Sequence, residues 1–168
     1  MNDLDATVRL ALPLLSAGQA QKDLTHNEAL ARLDLAVQAS VVAVGLATPP
    51  AAPAAGDAWI VGAAPGGAWA GQAGAIAGWT AAGWRFVRPR EGMTAWSLAD
   101  RRDVRFTGGA WVTGDIRGTR VIVEGVKVVG PQAAAIAAPA GGTTIEKEAR
   151  AAVAAVLAML RGHGLIAE

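Results

Sequence analysis

The stretch GAIAGWTAAGWRFVRP, Gly74–Pro89, reads as a β-hairpin. Trp79 and Trp84 flank a turn at Thr80–Gly83, and bulky or β-branched residues lie on either side of it. The same pattern runs outward in both directions, from Gly56 to Gly114, a stretch that holds all six tryptophans: Trp59, Trp69, Trp79, Trp84, Trp96 and Trp111. Glycines sit close to the rings, as in GGAW at Gly66–Trp69 and again at Gly108–Trp111. AWIVG at Ala58–Gly62 is a short strand. A second hairpin is expected from Thr94–Leu98 and Val104–Phe106, reversing at Ala99–Asp103. Short strands at regular spacing with Gly-rich turns predict a small sandwich, barrel or meander. Further on, RVIVEGVKVVG at Arg120–Gly130 sets two β-branched runs around Glu124–Gly125, a pair suited to a tight two-residue turn.

Helical signals stand before and after this module. Thr25 with Glu28 three residues later forms a capping box, and Leu30, Leu33, Val37, Val41 and Val44 follow at helical spacing, so a helix is expected over Thr25–Val44. Upstream, Met1–Thr7 is polar and read as loose, Arg9–Leu15 fits a short edge strand limited by Pro13, and SAGQAQKDL reads as a turn or short irregular helix. ATPPAAPAAGD at Ala47–Asp57 is an extended Pro/Ala linker, and Pro131–Gly142 an extended loop or short helix. Thr143 with Glu146 is the second capping box, opening a helix whose stripe is Ile145, Ala149, Ala152, Val153, Val156, Leu157 and Leu160. Gly162 or Gly164 supplies its left-handed stop, and LIA folds back on the last turn.

The fold class is therefore α+β: a small antiparallel β module of hairpins, sandwich- or barrel-like, flanked by an N-terminal and a C-terminal amphipathic helix. The organisation expected is an arm, helix and linker over 1–55, the Trp/Gly-rich β module over 56–130, and a loop and C-terminal helix over 131–168, as one compact unit or two small subdomains. The C-terminal stripe either packs on the β module or meets copies of itself, with Val153, Val156, Leu157 and Leu160 as the oligomer contact.

Composition narrows the function classes. The 168 residues are 52% hydrophobic and 17% charged, below the usual ~25%. This fits a surface partly covered by another chain, or simply a genome that favours Ala, Gly and Arg. A net charge of +1 gives no global electrostatic case for nucleic acid, and Glu91, Asp100 and Asp103 dilute the basic cluster. Without cysteine there are no disulfides and no thiolate metal sites, and His26 has no company that would make it a ligand. LALPLL at Leu10–Leu15 is no signal peptide, because Asp3 and Asp5 stand where a basic region belongs and Pro13 interrupts the run. No run approaches the ~20 apolar residues that cross a bilayer. The expectation is a soluble chain made in the cytoplasm, with no membrane insertion and no cofactor or metal.

No catalytic constellation emerges. Glu91, Asp100, Asp103 and Asp115 are available to a glycosidase, but no spacing pairs them. Ser16, Ser40 and Ser97 lie in no nucleophile elbow, and GAAPGG at Gly62–Gly67 lacks the lysine and helix start of a phosphate loop. The tryptophans admit two readings. An exposed indole is a flat platform for the C–H face of a sugar, and nearby arginines can pair with acidic polysaccharide groups. On this reading Trp69, Trp79, Trp96, Trp111, Arg88 and Arg101 are the carbohydrate-binding candidates. Alternatively the rings supply the core of an Ala/Gly-rich module that otherwise lacks bulk, a reading that suits Trp59 and Trp84, flanked by strand formers.

RLALPLLSAGQAQKDLTHNEALARLD at Arg9–Asp34, the Pro/Ala linker, GDAWIV, GAWAGQAGAIAGW and GWRFVRPREGMTAW together resemble the DUF2793 family. The ending from VVGPQAAAIAAPAGG to RGHGLIA resembles the segment that often accompanies that domain. The resemblance implies a structural or attachment protein of a phage-like particle, of the gene transfer agent kind. The role it implies is a head spike base that attaches a fibre to the capsid vertex and supports adhesion to host capsule polysaccharide. It implies a homo-oligomeric ring, a pentamer at a five-fold vertex, with capsid protein and spike fibre protein as partners. The chain would then reside in the bacterial cytoplasm during assembly and afterwards on the surface of the released particle. The family carries over no catalytic residues. The alternative is a carbohydrate-binding adhesin that acts directly through exposed tryptophans.

Overall fold

A computed structural model describes residues 6–15, 22–141 and 146–167. The chain divides into two compact units, Met1–Asp115 and Ile116–Glu168.

The first unit begins with helix α1 (Lys22–Ala36) and continues into eight strands: β1 (Ser40–Val41), β2 (Ala43–Leu46), β3 (Ala58–Val61), β4 (Ile76–Thr80), β5 (Gly83–Val87), β6 (Thr94–Ser97), β7 (Arg102–Thr107) and β8 (Ala110–Thr113). They form two four-stranded sheets, ordered β1-β6-β7-β8 and β2-β3-β4-β5. Both expected hairpins are present, as β4–β5 around Ala81–Ala82 and as β6–β7. All pairings in these sheets are antiparallel except β1 with β6 and β2 with β3. The fold is α+β, with the β module as its body.

Those two parallel joins correct the reading of Thr25–Val44. The helix starts by Lys22, so Thr25 lies inside it and caps nothing, and it stops at Ala36. Val37 donates to Leu33 O at 2.9 Å, and Gln38 then turns left-handed at φ +46°. The valines that followed at helical spacing are β-branched, and such residues favour the pleated state. Val41 enters one sheet through β1 and Val44 the other through β2. Ala39–Leu46 thus threads both sheets, which a continuous helix could not do.

Two cores follow from strand alternation. Ala58, Ile60 and Ile76 of one sheet meet Val41, Ala95 and Val104 of the other, together with Leu35 of α1 and Ala39 just before β1. The opposite face of the β2–β5 sheet carries Trp59, Val61 and Ala77, covered by Trp69 from a 3-10 turn at Gly67–Trp69. Gly78 faces Leu35 so closely that a Cβ there would lie 2.2 Å from Leu35 Cδ2. The linker Ala47–Asp57 carries no strand or helix, as expected.

Arg9–Leu15 does not form a strand. The arm makes one bridge, Ala6 to Pro13, around a turn, and is held by Asp34. That carboxylate, 5% exposed, accepts from Thr7 Oγ1 at 2.9 Å and from the backbone N–H groups of Arg9 and Leu10 at 3.1 and 2.6 Å. The expectations for 1–5 and for the stretch 16–21 lie outside the described residues.

The second unit contains β9 (Val121–Val123), β10 (Val126–Val129) and helix α2 (Lys147–Gly162). β9 and β10 form the expected hairpin, with Glu124 at φ +49° and Gly125 at φ +79°, a double left-handed turn that matches strand twist. Helix α2 begins at Lys147, and Glu146 before it makes no side-chain cap. Thr143 lies outside the described residues. Gly164 takes the left-handed stop at φ +68°, and the ending folds back, with Leu165 N–H on Leu160 O at 2.9 Å and Ile166 bridging Ala133.

Candidate functional site

Four of the six tryptophans form one cluster. Trp84 stands at its centre, with ring centroids 4.9 Å from Trp79, 5.1 Å from Trp69 and 5.7 Å from Trp59, each edge to face. Trp69 is fully buried, and its indole N–H has no oxygen or nitrogen acceptor among the described residues; it sits at an interplanar angle of 81° to Trp84. As a sugar platform Trp69 is therefore excluded, because no ligand reaches its face. Trp79 is half-buried against the same cluster. Trp111 turns inward from β8, packs 5.4 Å from Phe106 and donates through Nε1 to Gly74 O at 2.8 Å, which ties the two sheets together. These rings are the bulk that an Ala/Gly-rich module needs.

Trp96 is different. It is 43% exposed on the outer face of the β1-β6-β7-β8 sheet, and its register partners are Ser40 and Asp103. Arg101, in the turn before β7, is exposed with φ +53°, and Arg88 is exposed beyond β5. Trp96 and Arg101 belong to one sheet and its turn. Arg88 belongs to the other sheet's edge, so the six candidates do not converge on one site.

Two concavities adjoin α1. A cleft of about 250 Å³ lies between the N-terminal arm, α1 and the β4–β5 turn, and Trp79 lines it. Its polar side chains are already committed. Asp34 holds the arm, and Asn27 exchanges bonds with both Leu15 N–H and Leu15 O, at 2.9 and 3.0 Å. A broader groove of about 1020 Å³ runs between α1 and β5. Arg32, Arg85, Arg88 and Arg90 line it, and Glu28 is the single acid among its lining residues. Glu28 accepts from Arg32 Nε at 2.9 Å and from Arg85 Nε at 2.5 Å. The sequence offered Glu28 as a cap; its i,i+4 spacing to Arg32 was the signal for its actual role.

Two of the four acids available to a hydrolase are occupied in turns. Asp100 accepts from Ser97 Oγ at 2.6 Å, and Glu91 accepts from Gly108 N–H at 3.0 Å. Among the described residues no group of three or more His, Asp or Glu could hold a metal ion. His26 is exposed. No helix of the described residues is long and apolar enough to cross a membrane.

In the second unit, α2 divides its stripe. Leu157 is 5% exposed and Leu160 half-buried, whereas Val153 and Val156 are 45% and 51% exposed. Of the four residues expected at an oligomer contact, Leu157 is already covered within the chain, whereas Val153 and Val156 are open at the surface. Met159 joins them at 55%. The hairpin is barer still, with every residue of both strands exposed.

The sequence profile of DUF2793, described as a protein of unknown function, matches residues 26–112, just over half of the 168-residue chain. The chain belongs to the DUF2793 family. The match opens inside α1 and closes inside β8, so the DUF2793 domain coincides with the paired sheets and their tryptophan cluster. The bare hairpin and α2 lie beyond it. No curated protein matches the chain significantly.

Proposed function

We propose that this DUF2793 chain is a non-enzymatic structural component of a phage-like particle, a gene transfer agent head spike base. In this role it attaches a fibre to the capsid vertex and supports adhesion to host capsule polysaccharide. The observation that carries the reading is the β9–β10 hairpin. Val121, Ile122, Val123, Val126, Val128 and Val129 are each between 41% and 64% exposed. An isolated two-stranded hairpin is marginal in water, and an apolar strand with open edges invites pairing. Such an element is made for burial in an assembly, and α2 adds Val153, Val156 and Met159 to the same need. Identical chains meet this need by closing a ring, which suits a vertex, with five copies as the expected number. The DUF2793 domain then supplies a rigid body, and its resemblance to virion proteins supplies the particle. Capsid protein and spike fibre protein are the partners; the chain assembles in the bacterial cytoplasm and leaves on the particle surface.

Co-expression with capsid and fibre proteins tests the particle role. Recovery of the chain in sedimented particles, lost on replacing Val126 and Val128 by aspartate, is the expected result. A chain that stays in the supernatant whatever its partners contradicts it.

A second reading, direct carbohydrate binding, rests on Trp96, the one exposed tryptophan, with Asp103 opposite it in register. Capsule binding by the purified chain that disappears in Trp96→Ala, with unchanged thermal stability, supports that reading. Binding that survives the substitution removes it.

A further inference from the structure

The outer edge of β5 is open, and its surroundings say what it would accept. In β4, Trp79 directs its backbone toward β3: its N–H donates to Asp57 O and its C=O accepts from Gly56 N–H, both at 2.9 Å. The alternate residues Ile76, Gly78 and Thr80 therefore face β5 and bond to their register partners Val87, Arg85 and Gly83. Trp84 and Phe86 consequently point their backbone groups away from the sheet. The Trp84 carbonyl is taken by Arg85 Nη1 at 3.0 Å. The Trp84 N–H, the Phe86 N–H and the Phe86 C=O remain without a backbone partner among the described residues.

The groove of about 1020 Å³ follows this edge. Half-exposed Leu33 of α1 borders it on one face, with Trp84 and Phe86 on the other. Four arginines against one glutamate leave it strongly positive in a chain of net charge +1. Glu28 is shared by Arg32 and Arg85, while Arg88 and Arg90 form no ion pair with any described residue. An anionic sugar could use the arginines and the rings, but it would leave the row of backbone groups unmatched. A polypeptide in extended conformation uses all three features at once.

We propose that the edge of β5 is a docking site for an extended, acidic peptide segment of a partner protein, which adds a fifth strand to the β2-β3-β4-β5 sheet. Backbone groups of the segment pair with Trp84 and Phe86, its carboxylates meet Arg88 and Arg90, and its apolar residues cover Leu33 and the ring edges.

The test uses the full chain and a fluorescein-labelled hexapeptide of alternating glutamate and valine, with binding followed by anisotropy and amide hydrogen exchange. The expected result is saturable, salt-sensitive binding with slowed exchange over residues 84–88. Arg88→Glu with Arg90→Glu should weaken it at least tenfold, and so should N-methylation of alternate peptide amides. Both arginines are exposed, so the variant should keep the parent's melting temperature. Failure of the peptide to bind overturns the proposal, and the arginines then act as charges that keep the edge from pairing. Equal binding of the N-methylated peptide also overturns it, because the strand edge is then not used. So does binding of alginate, a carboxylated polysaccharide, in place of the peptide.

Discussion

Trp69 shows how a residue that looks like a ligand platform becomes a keystone. It is buried from a 3-10 turn onto Trp59 and Trp84, and Trp69→Ala should cost about 3–5 kcal/mol through lost contacts and a cavity. Urea unfolding measures this directly, and Trp96→Ala in the same assay should change stability by about 0.5 kcal/mol or less. Gly78 is a second residue-scale constraint. Gly78→Ala drives a methyl into Leu35 and should cost about 1–3 kcal/mol unless α1 shifts. Asp34 is the third. Its carboxylate gathers the arm, and Asp34→Ala leaves part-buried N–H groups unpaired, at about 1–2 kcal/mol. Sequence alone could not separate Trp69 from Trp96: both stand beside small residues, and only the packing of the 3-10 turn decides between them. Asp34 was equally silent, because its partners lie 24 to 27 residues away.

At the scale of elements, the hairpins were legible because turn chemistry is local. Glu124–Gly125 between valine runs and the small residues between Trp79 and Trp84 each specify their own reversal. The end of α1 was not legible, because Val37, Val41 and Val44 keep helical spacing although, as β-branched residues, they suit strands as well. The decision belongs to long-range pairing, β1 with Trp96–Ser97 and β2 with Trp59–Val61, which no local pattern reveals. The true helix stop is Gln38, held left-handed at φ +46°, where glycine is the favoured residue. Gln38→Gly should therefore stabilise the chain, by up to about 1 kcal/mol, visible as a higher melting temperature. A lower one would mean that the Gln38 side chain matters to the fold. The α1–β5 groove was hidden for the same reason as the helix stop: Glu28 and Arg85 lie 57 positions apart.

At the scale of the whole molecule, the DUF2793 domain and the C-terminal unit obey different rules. The first packs five of its six tryptophans, all but Trp96, and buries both inner sheet faces. The second leaves a hairpin and one side of a helix bare. This contrast is the physical basis for reading the chain as part of an assembly. Val126→Asp with Val128→Asp should dissociate that assembly while leaving the near-ultraviolet circular dichroism of the tryptophan cluster unchanged, which separates loss of contact from loss of fold. The most direct measurement is native mass spectrometry of the purified chain across a range of concentrations. A discrete closed oligomer, five copies for a vertex base, is the predicted result. A monomer at every concentration would contradict the claim that the hairpin and α2 are subunit contacts.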